Sequence, residues 1–152
     1  MPEVLVGIVT GSQSDRDTME EARQVLERFG IGCEMVVASA HRNPEKTARY
    51  ANDAADRGLK VLVAGAGLSA ALPGFLAAHT PLPVIGVPIA SGALNGIDAL
   101  YSMVQMPSGV PVATVGIGNA KNAAILAAEV LALTDPEIAR RLAEFRDAQR
   151  DS

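Results

Sequence analysis

Aromatic side chains are scarce in this chain: they make up 3% of it, and tryptophan is absent. The apolar half is built instead from alanine, valine, leucine and isoleucine, accompanied by 14 glycines. That mixture suits tightly packed βα units and excludes a disordered chain. Positive charge is short as well, since 13 basic residues face 17 acidic ones for a net charge of −4. No basic stripe invites a nucleic-acid backbone, so nucleic acid is not expected as a partner. Cysteine occurs once, at Cys33 in an apolar run, which excludes an intrachain disulfide and fits a reducing compartment. No apolar stretch reaches about 18 residues without Gly, Pro or a polar interruption, which argues against a membrane span. The N-terminus opens straight into a strand-like run, with no basic segment leading a long apolar one. The expectation is a cytoplasmic, globular protein.

Several kinds of chemistry lack their residues. No group of His, Cys, Asp and Glu has metal-ligand spacing. There is no Gly-x-Ser-x-Gly nucleophile elbow, and Cys33 lies inside a strand-like run rather than at its end. No lysine sits in a lipoyl or biotin context. Any reaction is therefore expected to run without cofactor or metal.

What is present is an alternation of strands and helices in 152 residues, the length of one domain with a full core. Strand-like runs are read at 4–10, 33–39, 61–64, 84–87 and 112–115. The first stops at Gly11-Ser12, as a strand buried on both faces would. Between 15 and 29, Met19, Ala22, Val25, Leu26 and Phe29 share one helical face, and Gly30 closes the helix. Asn43-Pro44-Glu45 supplies an N-cap, a first-turn proline and an acidic first turn for a helix reaching about 56. Further helices are read near 73–79, 96–105 and 120–133. Asp135-Pro136-Glu137 opens a last one, with Ile138, Leu142 and Phe145 on one face. Five strands alternating with helices predict an α/β fold with a doubly wound parallel sheet and an extra C-terminal helix. Ligands of such folds lie beyond the carboxyl ends of the strands, near the switch in strand order. That rule selects residues 11–15, 39–43, 65–74, 88–92 and 116–119 before any motif is considered.

Charge is distributed unevenly. Between Val61 and Ala120 the only formally charged residue is Asp98. A thick core could hold part of this stretch, but a domain of this size cannot hide all of it. Part of the surface is therefore expected to meet other subunits. The terminal helix is either a second such contact or an ordinary surface helix.

Two strand ends carry polar chemistry. Gly11-Ser12-Gln13-Ser14-Asp15 combines a tight turn, two hydroxyls and the free N–H groups of a helix start, which suits a phosphate or sugar hydroxyls. The blander alternative is that Ser14 or Asp15 merely caps the helix. Ser39-Ala40-His41-Arg42-Asn43-Pro44 sets a hydroxyl, an imidazole and a guanidinium at the end of strand two. Imidazole exchanges a proton near neutrality, with a reference pKa of about 6.5. Guanidinium is a natural partner of phosphate or carboxylate. The segment 65–74 offers backbone N–H groups, close approach and a dry apolar wall rather than side-chain chemistry. His79, at a helix end beside Thr80-Pro81, is expected to be structural, while Asp98, Gln105 and Lys121 stay unassigned.

Four segments carry a likeness. Gly11-Ser12-x-Ser14-Asp15, Ser39-Ala40-His41-Arg42-x-Pro44, Leu82-Pro83-Val84-x-Gly86-Val87-Pro88 and the run from Asp98 to Val112 resemble the PurE-type family of purine biosynthesis, in order and over nearly the whole chain. The resemblance implies a three-layer, flavodoxin-like sheet and a homo-oligomer, an octamer. It implies a small ribonucleotide and carbon dioxide as the molecules bound. One branch of the family moves a carboxylate from an exocyclic nitrogen to a ring carbon of the same nucleotide. The carbamate loses carbon dioxide, which stays trapped and recombines. On this likeness His41 donates and then removes a proton, and Ser12, Ser14, Asp15, Ser39 and Arg42 hold or orient the nucleotide. Gly67, Ser69, Ala70 and Leu72 belong to the wall of the carbon dioxide pocket.

The chain also departs from the pattern of that branch. Where the mutases read Gly-Ala-Ala-His-Leu-Pro-Gly, this chain has Leu68-Ser69-Ala70-Ala71-Leu72-Pro73-Gly74, so Ala71 replaces a histidine. A Ser-Asn-Ala-Leu pattern there is typical of the other branch, which carboxylates aminoimidazole ribonucleotide with free carbon dioxide. Ser69-Ala70-Ala71-Leu72 and Met106-Pro107-Ser108-Gly109 resemble it in part, whereas Arg42 and Pro44 follow the mutases. Readings from other classes fare worse. A receiver domain needs clustered acids near strand one, and Asp15 stands nearly alone. A binding module or a purely structural oligomer leaves the His41-Arg42 pair without a reason.

Overall fold

The computed structural model describes residues 3–152. Five strands form one parallel sheet: β1 (Val4–Thr10), β2 (Gly32–Val37), β3 (Val61–Gly67), β4 (Val84–Ile89) and β5 (Ala113–Thr114). Their spatial order is β2-β1-β3-β4-β5, with all pairs parallel. The order reverses between β1 and β3, and that is the switch point of a flavodoxin-like, doubly wound sheet.

Helices cover both faces. On one side α1 (Arg16–Arg28), α5 (Ala120–Ala132) and α6 (Pro136–Arg150) pack on Val6, Ile8, Val61, Val63, Ile85 and Val87. On the other, α2 (Pro44–Ala54), α3 (Leu72–His79) and α4 (Ile97–Val104) pack on Val9, Leu62, Ala64 and Val84. Alternate residues of β1 and β3 thus enter opposite cores, which is why both strands are unbroken apolar runs rather than alternating ones. Small residues set the spacing: Ala120, Ala123, Ala124, Ala127 and Ala128 of α5 are fully buried against the sheet and α1.

The element boundaries moved where local hydrogen bonds overrule the apolar pattern. β2 ends at Val37 rather than 39, because the chain turns there to build the next loop. β3 and β4 run on to Gly67 and Ile89, paired with each other to their ends. β5 keeps two residues, Ala113 and Thr114, paired with Ile85 and Gly86 at the edge of the sheet. A short 3-10 turn, Gln13–Asp15, precedes α1, and α2 stops at Ala54.

The terminal helix is an intrachain element. Asp135 Oδ1 accepts from the Glu137 and Ile138 N–H groups, Ile138 and Leu142 are buried, and Phe145 meets Phe29 edge-on at 5.6 Å. The uncharged middle is not all core. Leu94, Ile97, Tyr101 and Val104 are 58%, 49%, 62% and 53% exposed, while Ala99 and Met103 on the opposite side of α4 are buried. No helix among the described residues is long and apolar enough to cross a membrane.

Candidate active site

Two glycine-bearing strand ends meet at the switch point. The Gly11 N–H donates to the Gly65 carbonyl at 3.3 Å, which joins the exits of β1 and β3. After Gly11 the chain folds into a hydroxyl cluster. Ser12 Oγ is 2.8 Å from Ser14 Oγ and donates to Asp15 Oδ2 at 3.1 Å. Neither Ser12 nor Asp15 makes a side-chain cap bond to the helical turn that follows it, so these groups stay available to the cavity. Burial raises the Asp15 carboxyl above its ordinary value, against the hydrogen bond from Ser12 and the nearby Arg42 charge.

The loop after β2 is held by its own polar atoms. Ser39 Oγ accepts from the Arg42 N–H at 3.0 Å. The Ser39 carbonyl accepts from the Asn43 N–H at 3.0 Å and from Thr47 Oγ1 at 2.9 Å. Thr47 is fully buried, and Asn43 Oδ1 caps α2 by accepting from the Lys46 N–H at 3.2 Å. His41 and Arg42 lie exposed on a loop fixed at both ends. That is the arrangement a proton-exchanging group needs, free at its tip and rigid at its root.

The third wall is the β3–α3 segment. Gly67 stands where a Cβ would lie 3.2 Å from the Ile89 carbonyl oxygen and 3.3 Å from Ser91 Cβ, so the β4 loop packs closely on it and a side chain there would press that loop outward by a few tenths of an ångström. Ala70 and Leu72 are buried, and the Ala70 and Ala71 N–H groups bond back to the Leu68 and Ser69 carbonyls at 2.8 and 2.7 Å. Together these walls enclose a cavity of about 350 Å³. Ser12, Ser14, Asp15, Ser39, His41, Arg42, Gly67, Ser69, Ala70 and Leu72 all line it.

Ser91 also lines the cavity and was not singled out by sequence. The strand-end rule covers its loop, but only the missing Cβ of Gly67 reveals how near it comes. His79 lies elsewhere, with Nδ1 2.8 Å from the Phe75 carbonyl and its ring 4.6 Å from that of Phe75, as expected of a structural histidine. Asp98, Gln105 and Lys121 are not among the cavity's lining residues; Asp98 Oδ1 accepts from the Ala99 N–H. Among the described residues, no three His, Cys, Asp or Glu side chains gather where a metal ion could be held.

The model of the family described as AIR carboxylase matches residues 5–152, which include every wall of this cavity. The chain belongs to the AIR carboxylase family. Among its relatives, the N5-carboxyaminoimidazole ribonucleotide mutase of Pyrococcus abyssi is 57% identical over 97% of this chain and 83% of that one. The mutase of Thermotoga maritima is 53% identical over 95% of this chain and 85% of its own. The crystal structure of Treponema denticola PurE superposes with a TM-score of 0.88 at 34% identity, covering 97% of this chain and 92% of the other. The AIR carboxylase fold in this chain thus carries the switch-point cavity, with Ala71 and Leu68 both on its wall.

Proposed function

We propose that this protein is an N5-carboxyaminoimidazole ribonucleotide mutase of de novo purine synthesis, converting its substrate to 4-carboxy-5-aminoimidazole ribonucleotide. The observation that carries this reading is one cavity whose lining combines the polar side chains of the β1 and β2 loops with small and apolar residues of the β3 loop. Ser12, Ser14, Asp15, Ser39 and Arg42 offer hydroxyl, carboxylate and guanidinium partners for ribose and phosphate. Gly67, Ala70 and Leu72 offer a wall with no side-chain polar atoms, suited to a small neutral molecule.

The chemistry balances on one proton. The carbamate C–N bond breaks, its electron pair stays on the exocyclic nitrogen, and His41 supplies the proton that makes that nitrogen an amine. The ring carbon, enriched in electrons by the amine, attacks the released carbon dioxide and forms the C–C bond. His41 then removes the proton from the same carbon and restores the aromatic ring. Arg42 and the hydroxyls hold the nucleotide still while carbon dioxide moves from nitrogen to carbon, which is a positioning effect. One domain spanning residues 1–152, an octameric assembly and a cytoplasmic setting belong to the same reading. The exposed apolar stripe on α4 and the single cysteine support the last two.

A paired assay tests the function. One arm supplies N5-carboxyaminoimidazole ribonucleotide without bicarbonate, the other aminoimidazole ribonucleotide with bicarbonate. Product forming fast only in the first arm is the expected result. Fast product only in the second, at modest bicarbonate, would make Ser69-Ala70-Ala71-Leu72 the marker of a carboxylase. His41→Asn is expected to lower turnover by about 10²–10⁴-fold, the contribution of a positioned acid–base group, while nucleotide binding is kept.

A further inference from the structure

The loop after β4 reaches the cavity through one residue. Ile89 closes the β3–β4 ladder opposite Gly67, and two residues later Ser91 lines the cavity. A Cβ at Gly67 would lie 3.3 Å from Ser91 Cβ, so the two loops pack closely at this point. Ser91 is itself exposed, which leaves its hydroxyl open to a ligand. The polar side chains of the cavity are divided by strand end. Ser12, Ser14 and Asp15 follow β1, and Ser39, His41 and Arg42 follow β2. The lining contributed by β3, β4 and the loops after them has only two side-chain donors, Ser69 and Ser91. Backbone donors are spent there as well, since the Ala70 and Ala71 N–H groups bond to the Leu68 and Ser69 carbonyls.

We propose that Ser91 is a specificity-determining residue of this site, whose hydroxyl donates to the carboxylate of the carboxylated nucleotide and sets that ligand apart from the uncarboxylated amine. The inference rests on the reading that the cavity takes a ribonucleotide whose ring gains a carboxylate, and deepens it. An ionised carboxylate accepts hydrogen bonds and donates none, so it needs donors on the protein. On the wall that holds Ala70 and Leu72 the amides are engaged and Ala71 has no polar atom, so the hydroxyls must supply them. Ser69 belongs to the turn that its own carbonyl helps to close, whereas Ser91 comes from a separate strand end. The sheet order β2-β1-β3-β4 sets the His41 loop on one flank of the cavity and Ser91 on the other. A base lying between them meets the imidazole on one side and the hydroxyl on the other. The bond to Ser91 is charge-assisted and exists only when the carboxylate is present, while the β1 and β2 loops hold the ribose and phosphate common to both ligands.

Calorimetric titration of the purified protein reads the difference. The two ligands are 4-carboxy-5-aminoimidazole ribonucleotide and aminoimidazole ribonucleotide, which share ring, ribose and phosphate and differ by the carboxylate. Ser91→Ala is expected to raise the dissociation constant of the carboxylated ligand by about 10–100-fold, the effect of losing one hydrogen bond to a charged group, and to leave that of the amine unchanged. Ser91→Thr keeps the hydroxyl and is expected to bind both ligands as wild type does. An alanine variant that holds the carboxylated ligand as tightly as wild type overturns the role of Ser91. Equal weakening of both ligands overturns it too, because a loosened loop and not a lost carboxylate contact would then be the cause. In either case the function stands, since wild type still binds both nucleotides. A wild type that binds neither overturns the mutase reading, and the role of Ser91 falls with it.

Discussion

Burial holds the Asp15 carboxyl above the ordinary range of an aspartate, and the direction of that change has a consequence for stability. A raised carboxyl favours the folded state fully below the unfolded pKa, and the contribution is lost as pH climbs through the folded one. At neutral pH the half-buried charge is therefore a cost on the empty site, which the proposed role of Asp15 in nucleotide binding would account for. Asp15→Asn is expected to raise the urea midpoint of the ligand-free protein at neutral pH and to weaken nucleotide binding. The gap to wild type should close as the pH falls through the raised folded value toward that of an unfolded aspartate; equal midpoints at neutral pH would refute the assignment. Residues of this kind were legible in the sequence because their chemistry is in their side chains and the strand-end rule says where to look. Ser91 was harder to read. Its place at the cavity depends on a Cβ that Gly67 does not have, which leaves no trace in composition or periodicity.

At the scale of elements, the loop between β2 and α2 shows how a signal can be half visible. Asn43-Pro44-Glu45 announced the start of α2, and Asn43 does cap it. The anchor of the His41 loop lies one turn further on, in a threonine that nothing in the sequence distinguishes from an ordinary helical residue. Thr47 Oγ1 lies 2.9 Å from the carbonyls of both Ser39 and Asn43 and is the donor to them, with the side chain wholly buried. Thr47→Val keeps the shape and removes the donor, leaving the Ser39 carbonyl with one partner fewer at the root of the loop. A loss of about 1–3 kcal/mol in unfolding free energy is expected, measured by urea titration. Turnover should fall as well, because His41 hangs from the loosened segment. Thr47→Ser, which restores the hydroxyl, should recover most of both losses. A valine variant with wild-type turnover would show that the loop is held from elsewhere. The strand lengths follow the same logic: β3 and β4 outran their apolar runs because each continues to find a backbone partner in the other.

For the molecule as a whole, the uncharged stretch from Val61 to Ala120 raised a choice between a thick core and a surface that meets another subunit. The fold divides the stretch between the two. β3, β4 and the inner side of α4 are core, whereas Ile97, Tyr101 and Val104 of α4 and Leu94 of the turn before it are exposed. The other candidate contact, α6, spends its apolar face on Phe29 and the rest of its own chain. A group of four large exposed apolar side chains whose one neighbouring charge is Asp98 is an uncommon surface for a protein that stays alone. Covering what remains exposed of these side chains is worth roughly 3–6 kcal/mol per copy on an area basis, enough to matter in a symmetric assembly that repeats the contact. We therefore expect the wild-type protein to sediment as an oligomer of its 15.7 kDa chain, with eight copies the number consistent with the proposed function. Tyr101→Glu places a charge in the middle of the group without touching the buried side of α4. It should shift the sedimenting mass toward the single chain while the far-ultraviolet circular dichroism stays that of the folded protein. A variant that sediments like wild type would move the contact off α4. A wild type that is monomeric at all concentrations would leave the group without a role and remove assembly from the proposed function.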